Sequence, residues 1–136
     1  MMSKTSTLKQ ANIDRHIEIS FQREIIHQFK GSDQDPKLAT GGDDDVSFLA
    51  NLHRHNVHFF VRVNVHHADR EIEFFQLKRF CQSVFPSDTH NVGSSSMEQL
   101  AERLLEALIE RHPSRDWEVR VLEDNENGAV VRYEDS

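Results

Sequence analysis

Apolar residues in this chain recur at two periods. From Ile17 the odd positions carry Ile17, Ile19, Phe21 and Ile25, with Arg23 as one polar break and His27 closing the run. A period of two predicts a strand. A second, cleaner strand follows, in which Val57, Phe59, Val61, Val63 and Val65 alternate with His58, Phe60, Arg62, Asn64 and His66. Between them, residues 30–47 hold Gly31, Pro36, Gly41, Gly42 and the run Asp43 to Asp45, which predicts a mobile loop. The pattern then changes to spacings of three and four. Phe74, Leu77, Cys81 and Val84 predict a helix from about Glu73 to Phe85, ended by Pro86. Leu100, Leu104 and Leu108, flanked by Ala101, Leu105 and Ile109, predict another from about Met97 to Arg111. Ser95 and Glu98 stand at capping-box spacing at its start. Two strands close the chain, Trp117–Glu123 and Ala129–Glu134. The connection Asp124–Gly128 contains the hairpin dipeptide Asn127-Gly128.

The predicted order is β-β-α-α-β-β. This is an α+β domain, an antiparallel four-stranded sheet with two helices on one face. Residues 1–15 are polar and unpatterned and are expected to form a flexible tail, leaving one domain over 16–136.

Composition narrows the function. The chain has 136 residues and a formal charge of −7, which does not point to nucleic-acid binding, since phosphate contacts want clustered Lys and Arg. Its apolar runs are only a few residues long, which predicts neither a membrane span nor a signal segment and favours a cytoplasmic location. Cys81 is the single cysteine, which excludes an internal disulfide and any multi-cysteine zinc site. A hydrophobic content of 37% is low for a self-sufficient globule, so part of the core is expected to be completed by subunit contacts in a homo-oligomer.

Histidine is the unusual residue. Of nine, His53, His55, His58, His66 and His67 fall within one short stretch. His53 and His55 share a face if the chain is extended, the same face as Val57 and Phe59. His27 has the parity of Phe21 and Ile25. If the two strands pair, three imidazoles meet at one end of the sheet, and three histidines with a vacant fourth position is the pattern of a catalytic zinc site. On spacing alone the alternative stands beside it, that His53 and His55 are exposed polar residues next to a strand. His58 and His66 have the opposite parity, and His67 follows the strand's end. These three read as surface or interface residues.

Several segments together resemble one family. Phe21-Gln-Arg-Glu-Ile-Ile-His27 is similar to the F-x-F-D-A-A-H strand of the 6-pyruvoyltetrahydropterin and 6-carboxytetrahydropterin synthases. His53-Arg54-His55-Asn56 resembles their H-G-H-[NS], and Glu73-Phe-Phe-Gln-Leu-Lys78 their D-F-x-x-L-K. Ser95-Ser-Met-Glu-Gln99 resembles P-T-x-E-N, and Val119-Arg-Val-Leu-Glu-Asp124 resembles V-x-V-x-E-T. The five segments come in the family's order, and the similarity covers roughly residues 17–134. The resemblance implies the tunnelling fold, a β-β-α-α-β-β unit that assembles into trimers or hexamers with ligand sites between subunits. It implies a lyase acting on 7,8-dihydroneopterin triphosphate or a related reduced pterin, in tetrahydrobiopterin or queuosine biosynthesis. By the same resemblance His27, His53 and His55 hold Zn2+, and Glu123 anchors the pterin, its carboxylate suited to accept from the 2-amino and N3 edge.

The chain also departs from the family. The family places a cysteine, or in some members a glutamate, a few residues before H-G-H as general base. Here Asp45-Val-Ser-Phe-Leu-Ala-Asn-Leu52 has neither, and Ser47 stands at a family-like offset. The Asp-His pair that follows the first helix in the family has Asp88 and His90 as its nearest counterparts, the candidates for proton transfer. Arg54 replaces the central glycine and is placed to meet an anionic group such as the substrate's phosphates. These departures leave a second expectation open: a non-catalytic or repurposed member that binds zinc and a pterin- or purine-like ligand.

Overall fold

The computed structural model describes residues 12–135. Most of the predicted tail therefore lies outside the described residues, and Arg15 already belongs to the first strand. The elements are β1 (Arg15–His27), a single 3-10 turn (Ser47–Ala50), β2 (His53–Val65), α1 (Phe74–Val84), β3 (Thr89–Gly93), α2 (Met97–Arg111), β4 (Trp117–Glu123) and β5 (Asn127–Tyr133). The sheet order is β3-β1-β2-β4-β5. The four predicted strands pair antiparallel.

The fifth strand, β3, was not predicted. It runs parallel to β1 at the sheet's edge, with a register shift at Ile26/His27. Its sequence, Thr89-His-Asn-Val-Gly93, has too few apolar positions to announce a strand, and its pairing with β1 is what holds it extended.

Parity decides which face is covered. Ile19, Phe21, Ile25, Val57, Phe59, Val61, Val63, Val119 and Val121 are all buried, on one side of the sheet, against Leu77 and Cys81 of α1 and Leu100, Leu104 and Leu108 of α2. Phe21 lies opposite Phe59, and their rings stack 4.7 Å apart. The break at Arg23 serves this packing, since its Nε donates to the Phe85 carbonyl at 2.8 Å, tying β1 to the end of α1. Burial pushes the Cys81 thiol up to about 12, so it is an inert core residue. Phe74 does not join the apolar row as predicted. It sits at the first turn of α1, half exposed, with its edge toward Phe75.

Two local predictions shift. The α2 cap is Ser96 with Gln99, one residue later than expected. The Gln99 N–H donates to Ser96 Oγ at 3.1 Å, and the Ser96 N–H to Gln99 Oε1 at 3.0 Å. This leaves the Ser95 carbonyl outside the helix. Ser96→Ala is expected to lower stability by about 1 kcal/mol, read as a shift of the urea midpoint.

The β4–β5 turn is made not by Asn127-Gly128 but by Asp124 and Asn125, both left-handed (φ 52° and 59°), with the Glu126 N–H donating to the Glu123 carbonyl at 2.9 Å. Gly128 is instead a strand residue in close contact with β4. The acidic run, finally, is used inside its own loop. Asp44 accepts from the Thr40 hydroxyl at 2.7 Å, and Asp45 accepts from the Gly41 N–H and from both the N–H and the hydroxyl of Ser47.

Two carboxylates make the fold acid-sensitive. The Ser47 hydroxyl, then the N–H groups of Gly41 and Ser47, hold Asp45 below its ordinary value of 3.8. Hydrogen bonding to the Arg115 guanidinium and the His66 N–H, with their charges, holds Glu71 below 4.5 against a smaller opposing effect of burial. Both groups bind protons more weakly when folded, so unfolding takes up protons and acid favours it. The stability they supply is complete above about pH 5 and is lost as the pH falls through the folded values. The urea midpoint should be flat from pH 7 to 5 and fall below it, and Glu71→Gln should flatten that fall.

Candidate metal centre

β1 and β2 end together, and this places the histidines. In the antiparallel register His27 lies opposite His53, and Ile25 opposite His55. All three imidazoles are on the covered face, and their ligating nitrogens lie within 4.8 Å of one another. The rings meet edge to face, with centroids 4.5, 5.6 and 5.0 Å apart. β4 pairs with β2 so that Glu123 stands opposite Val57, one step along from His55.

Each ring is held from behind. His27 Nδ1 is 2.9 Å from the Ser95 carbonyl, the group that the later helix cap leaves free. His53 Nδ1 is 2.8 Å from the Asn51 carbonyl. His55 Nδ1 is 2.7 Å from Asp124 Oδ2. A carbonyl oxygen and an ionised carboxylate can only accept, so Nδ1 carries a proton in all three rings, and in the neutral ring Nε2 then carries the lone pair.

The other side of the rings then has no donor to face. Nε2 of His27 and of His55 are buried and lack a hydrogen-bond partner. The nearest oxygens belong to Glu123, Oε1 at 3.3 Å from His27 Nε2 and Oε2 at 3.2 Å from His55 Nε2. In the neutral rings these lone pairs face a carboxylate, a repulsion relieved by a metal ion among them or by a proton on Nε2. Bare Nε2 atoms oriented by hydrogen-bonded Nδ1–H groups form the donor set of a three-histidine metal centre. The residues present therefore fit a metal ion.

Beside the histidines opens a cleft of about 460 Å³, lined by Phe29, Leu49, Met97, His27, His53 and Glu123 among others. Its size suits a small organic ligand, and apolar Phe29, Leu49 and Met97 together with the carboxylates of Glu98 and Glu123 suit a flat ring carrying donors.

The remaining predicted residues have their contacts elsewhere. Arg54 points to the opposite face and pairs with Glu24 at 2.8 Å. Asp88 is fully exposed, 4.0 Å from Arg23. His90 is on β3, opposite Ile25, with its ring edge toward Phe85 and Nδ1 3.4 Å from the Ser87 hydroxyl. The Ser47 hydroxyl donates to Asp45 at 2.6 Å. The sequence reading missed Asp124. Its only signal was its place directly after Glu123, and the Asn127-Gly128 dipeptide drew the turn away from it.

The fold recurs in solved structures. The 6-pyruvoyl tetrahydropterin synthase of Caenorhabditis elegans superimposes with a TM-score of 0.63 at 17% identity, over 91% of this chain and 97% of that one. The chain has the fold of the 6-pyruvoyl tetrahydropterin synthases. The Plasmodium vivax 6-pyruvoyl tetrahydropterin synthase matches with a TM-score of 0.56 at 18% identity, over 89% of this chain and 99% of that one. It has also been solved with a catalytic residue, a glutamate, replaced by alanine and by cysteine. An uncharacterized protein from Wolinella succinogenes matches with a TM-score of 0.60 at 15% identity, over 92% of this chain and the whole of that one. No protein-family model matches the sequence, and no curated protein does. The likeness is thus one of fold, the tunnelling fold of these synthases. No helix among the described residues is long and apolar enough to cross a membrane.

Proposed function

We propose that this chain is a zinc-dependent lyase that processes a reduced pterin, 7,8-dihydroneopterin triphosphate or a close relative. The observation that carries the reading is the convergence of the His27, His53 and His55 ring nitrogens, two of them buried without a partner, beside a ring-sized cleft. His27, His53 and His55 hold the ion. A bound zinc ion supplies Lewis acidity, lowering the pKa of a hydroxyl or C–H group on the pterin side chain.

The chain's own residues do the rest. Glu123 accepts from the donor edge of the ring and orients it. Phe29, Leu49 and Met97 exclude water from its faces. Asp88 and His90 are the residues to move the proton, His90 from the strand beside the one that carries His27 and Asp88 from just before that strand. Arg54, whose side chain lies on the other face of the sheet from the histidines, is the candidate for the phosphates. Its exposed pair with Glu24 is the kind worth about 1 kcal/mol or less, so the guanidinium is free to exchange partners. The protein works in the cytoplasm as a homo-oligomer, a trimer or hexamer with sites between subunits. The edge positions of β3 and β5 support this by leaving strands for a neighbour to extend.

A second reading has its own observation. The segment before His53 offers neither cysteine nor glutamate, and its one hydroxyl, Ser47, is committed to Asp45. On that reading the protein binds zinc and a pterin- or purine-like ligand without turning it over.

Incubating the zinc-loaded protein with 7,8-dihydroneopterin triphosphate and weighing the products separates the two. A new pterin that disappears in His90→Ala supports the lyase and the proton-transfer role. Saturable pterin binding with no product supports the second reading. No binding of any reduced pterin overturns the lyase, and no binding of a purine either overturns both.

A further inference from the structure

We propose that Asp124 is a positioning residue that sets the tautomer and orientation of His55, so that this ring presents its Nε2 lone pair to the centre shared with His27 and His53. The affinity consequence rests on the metal reading above, but the tautomer does not.

Asp124 is joined to the end of β2 three times. Its Oδ2 is 2.7 Å from His55 Nδ1. Its Oδ1 accepts from the Asn56 N–H at 3.0 Å. Its own N–H donates to the Asn56 carbonyl at 2.8 Å. The carboxylate and the main chain thus clamp the residue that follows His55, and the ring is fixed through both its backbone and its Nδ1. The left-handed backbone at φ 52° brings the side chain back toward β2. Among common residues, Asp, Asn and Gly take that conformation at little cost.

The three rings are not anchored alike. His27 and His53 rest on neutral carbonyls, those of Ser95 and Asn51. His55 rests on a carboxylate. A charged acceptor excludes the Nε2–H tautomer more strongly than a carbonyl does, and it makes the opposite nitrogen a better donor to a cation. Adjacent residues also divide the two sides of one ring, with Asp124 at Nδ1 and Glu123 at Nε2.

The test uses the full chain with Asp124→Asn and Asp124→Gly, both of which suit the left-handed turn. Long-range proton–nitrogen NMR on the metal-free protein reads the His55 tautomer. Wild type should be Nδ1–H. Both variants should lose that preference, the asparagine most, because its amide NH2 can turn toward Nδ1. Competition with a chromophoric chelator then reads zinc affinity, expected to fall about 10- to 100-fold in each variant.

An Nε2–H tautomer in wild type overturns the proposal with no variant needed. So do variants that keep the wild-type tautomer and bind zinc within twofold of wild type. A wild-type protein that takes up no zinc overturns the metal reading instead, and the tautomer measurement still decides the role of Asp124.

Discussion

His53→Ala is expected to abolish metal uptake and any turnover while leaving the fold intact. His53 opens β2 and is only partly buried. Its polar contact is with the Asn51 carbonyl, and it takes no part in the hydrophobic core. Its loss therefore leaves the hydrophobic core alone and should move stability by no more than about 0.5 kcal/mol. The site is affected differently. Structural zinc sites bind with about 10–16 kcal/mol over four ligands, so one lost imidazole costs roughly 3 kcal/mol, a factor of about a hundred or more in affinity. Two nitrogens and Glu123 then remain on one side of the site. His53→Ala should show an unchanged urea midpoint without metal, zinc affinity reduced at least about a hundredfold, and no product. His58→Ala, on the opposite face, is the control and should bind zinc as wild type does. Full zinc affinity in His53→Ala would remove this residue from the centre.

Gly128→Ala is the largest expected effect on the fold from a single added methyl group. A Cβ at this position would lie 1.7 Å from the Val121 carbonyl oxygen and 2.7 Å from its carbon, both main-chain atoms of β4. No rotamer relieves that overlap, so β5 must move away from β4 and give up pairing around Leu122↔Gly128. We expect a loss of about 3 kcal/mol, measured by urea unfolding. The site should suffer too, since Glu123 and Asp124 begin the turn that this pairing closes. Asn127→Ala, one residue away and exposed, should cost far less. A Gly128→Ala protein as stable as wild type would mean that β4 and β5 are not this close.

Much of the fold was legible because burial here follows parity. β2 alternates strictly, and the structure buries each odd position from Val57 to Val65. Antiparallel pairing of β1 with β2 then brought His27 to His53, as their shared parity predicted. Other features depend on contacts that no local pattern encodes. β3 is extended because it pairs with β1, not because Thr89-His-Asn-Val-Gly93 favours a strand. The β4–β5 turn went to Asp124-Asn125 although Asn127-Gly128 is the stronger hairpin signal. Gly128 was needed instead for its missing side chain. Ser96 took the cap that Ser95 was predicted to hold, and the Ser95 carbonyl became the anchor of His27. The histidine cluster was thus readable from spacing and resemblance. Its supports, Ser95, Asn51 and Asp124, were not, because two are main-chain carbonyls and the third lies 69 residues from its partner.

The central claim is that His27, His53 and His55 form one metal centre per chain. Titrating the metal-free protein with cobalt(II) and following its visible absorption tests it most directly. The account predicts saturation at about one equivalent per chain, with the intense bands of a low-coordinate site that zinc displaces. Weak, non-saturating absorption that is the same in wild type and His53→Ala would contradict it.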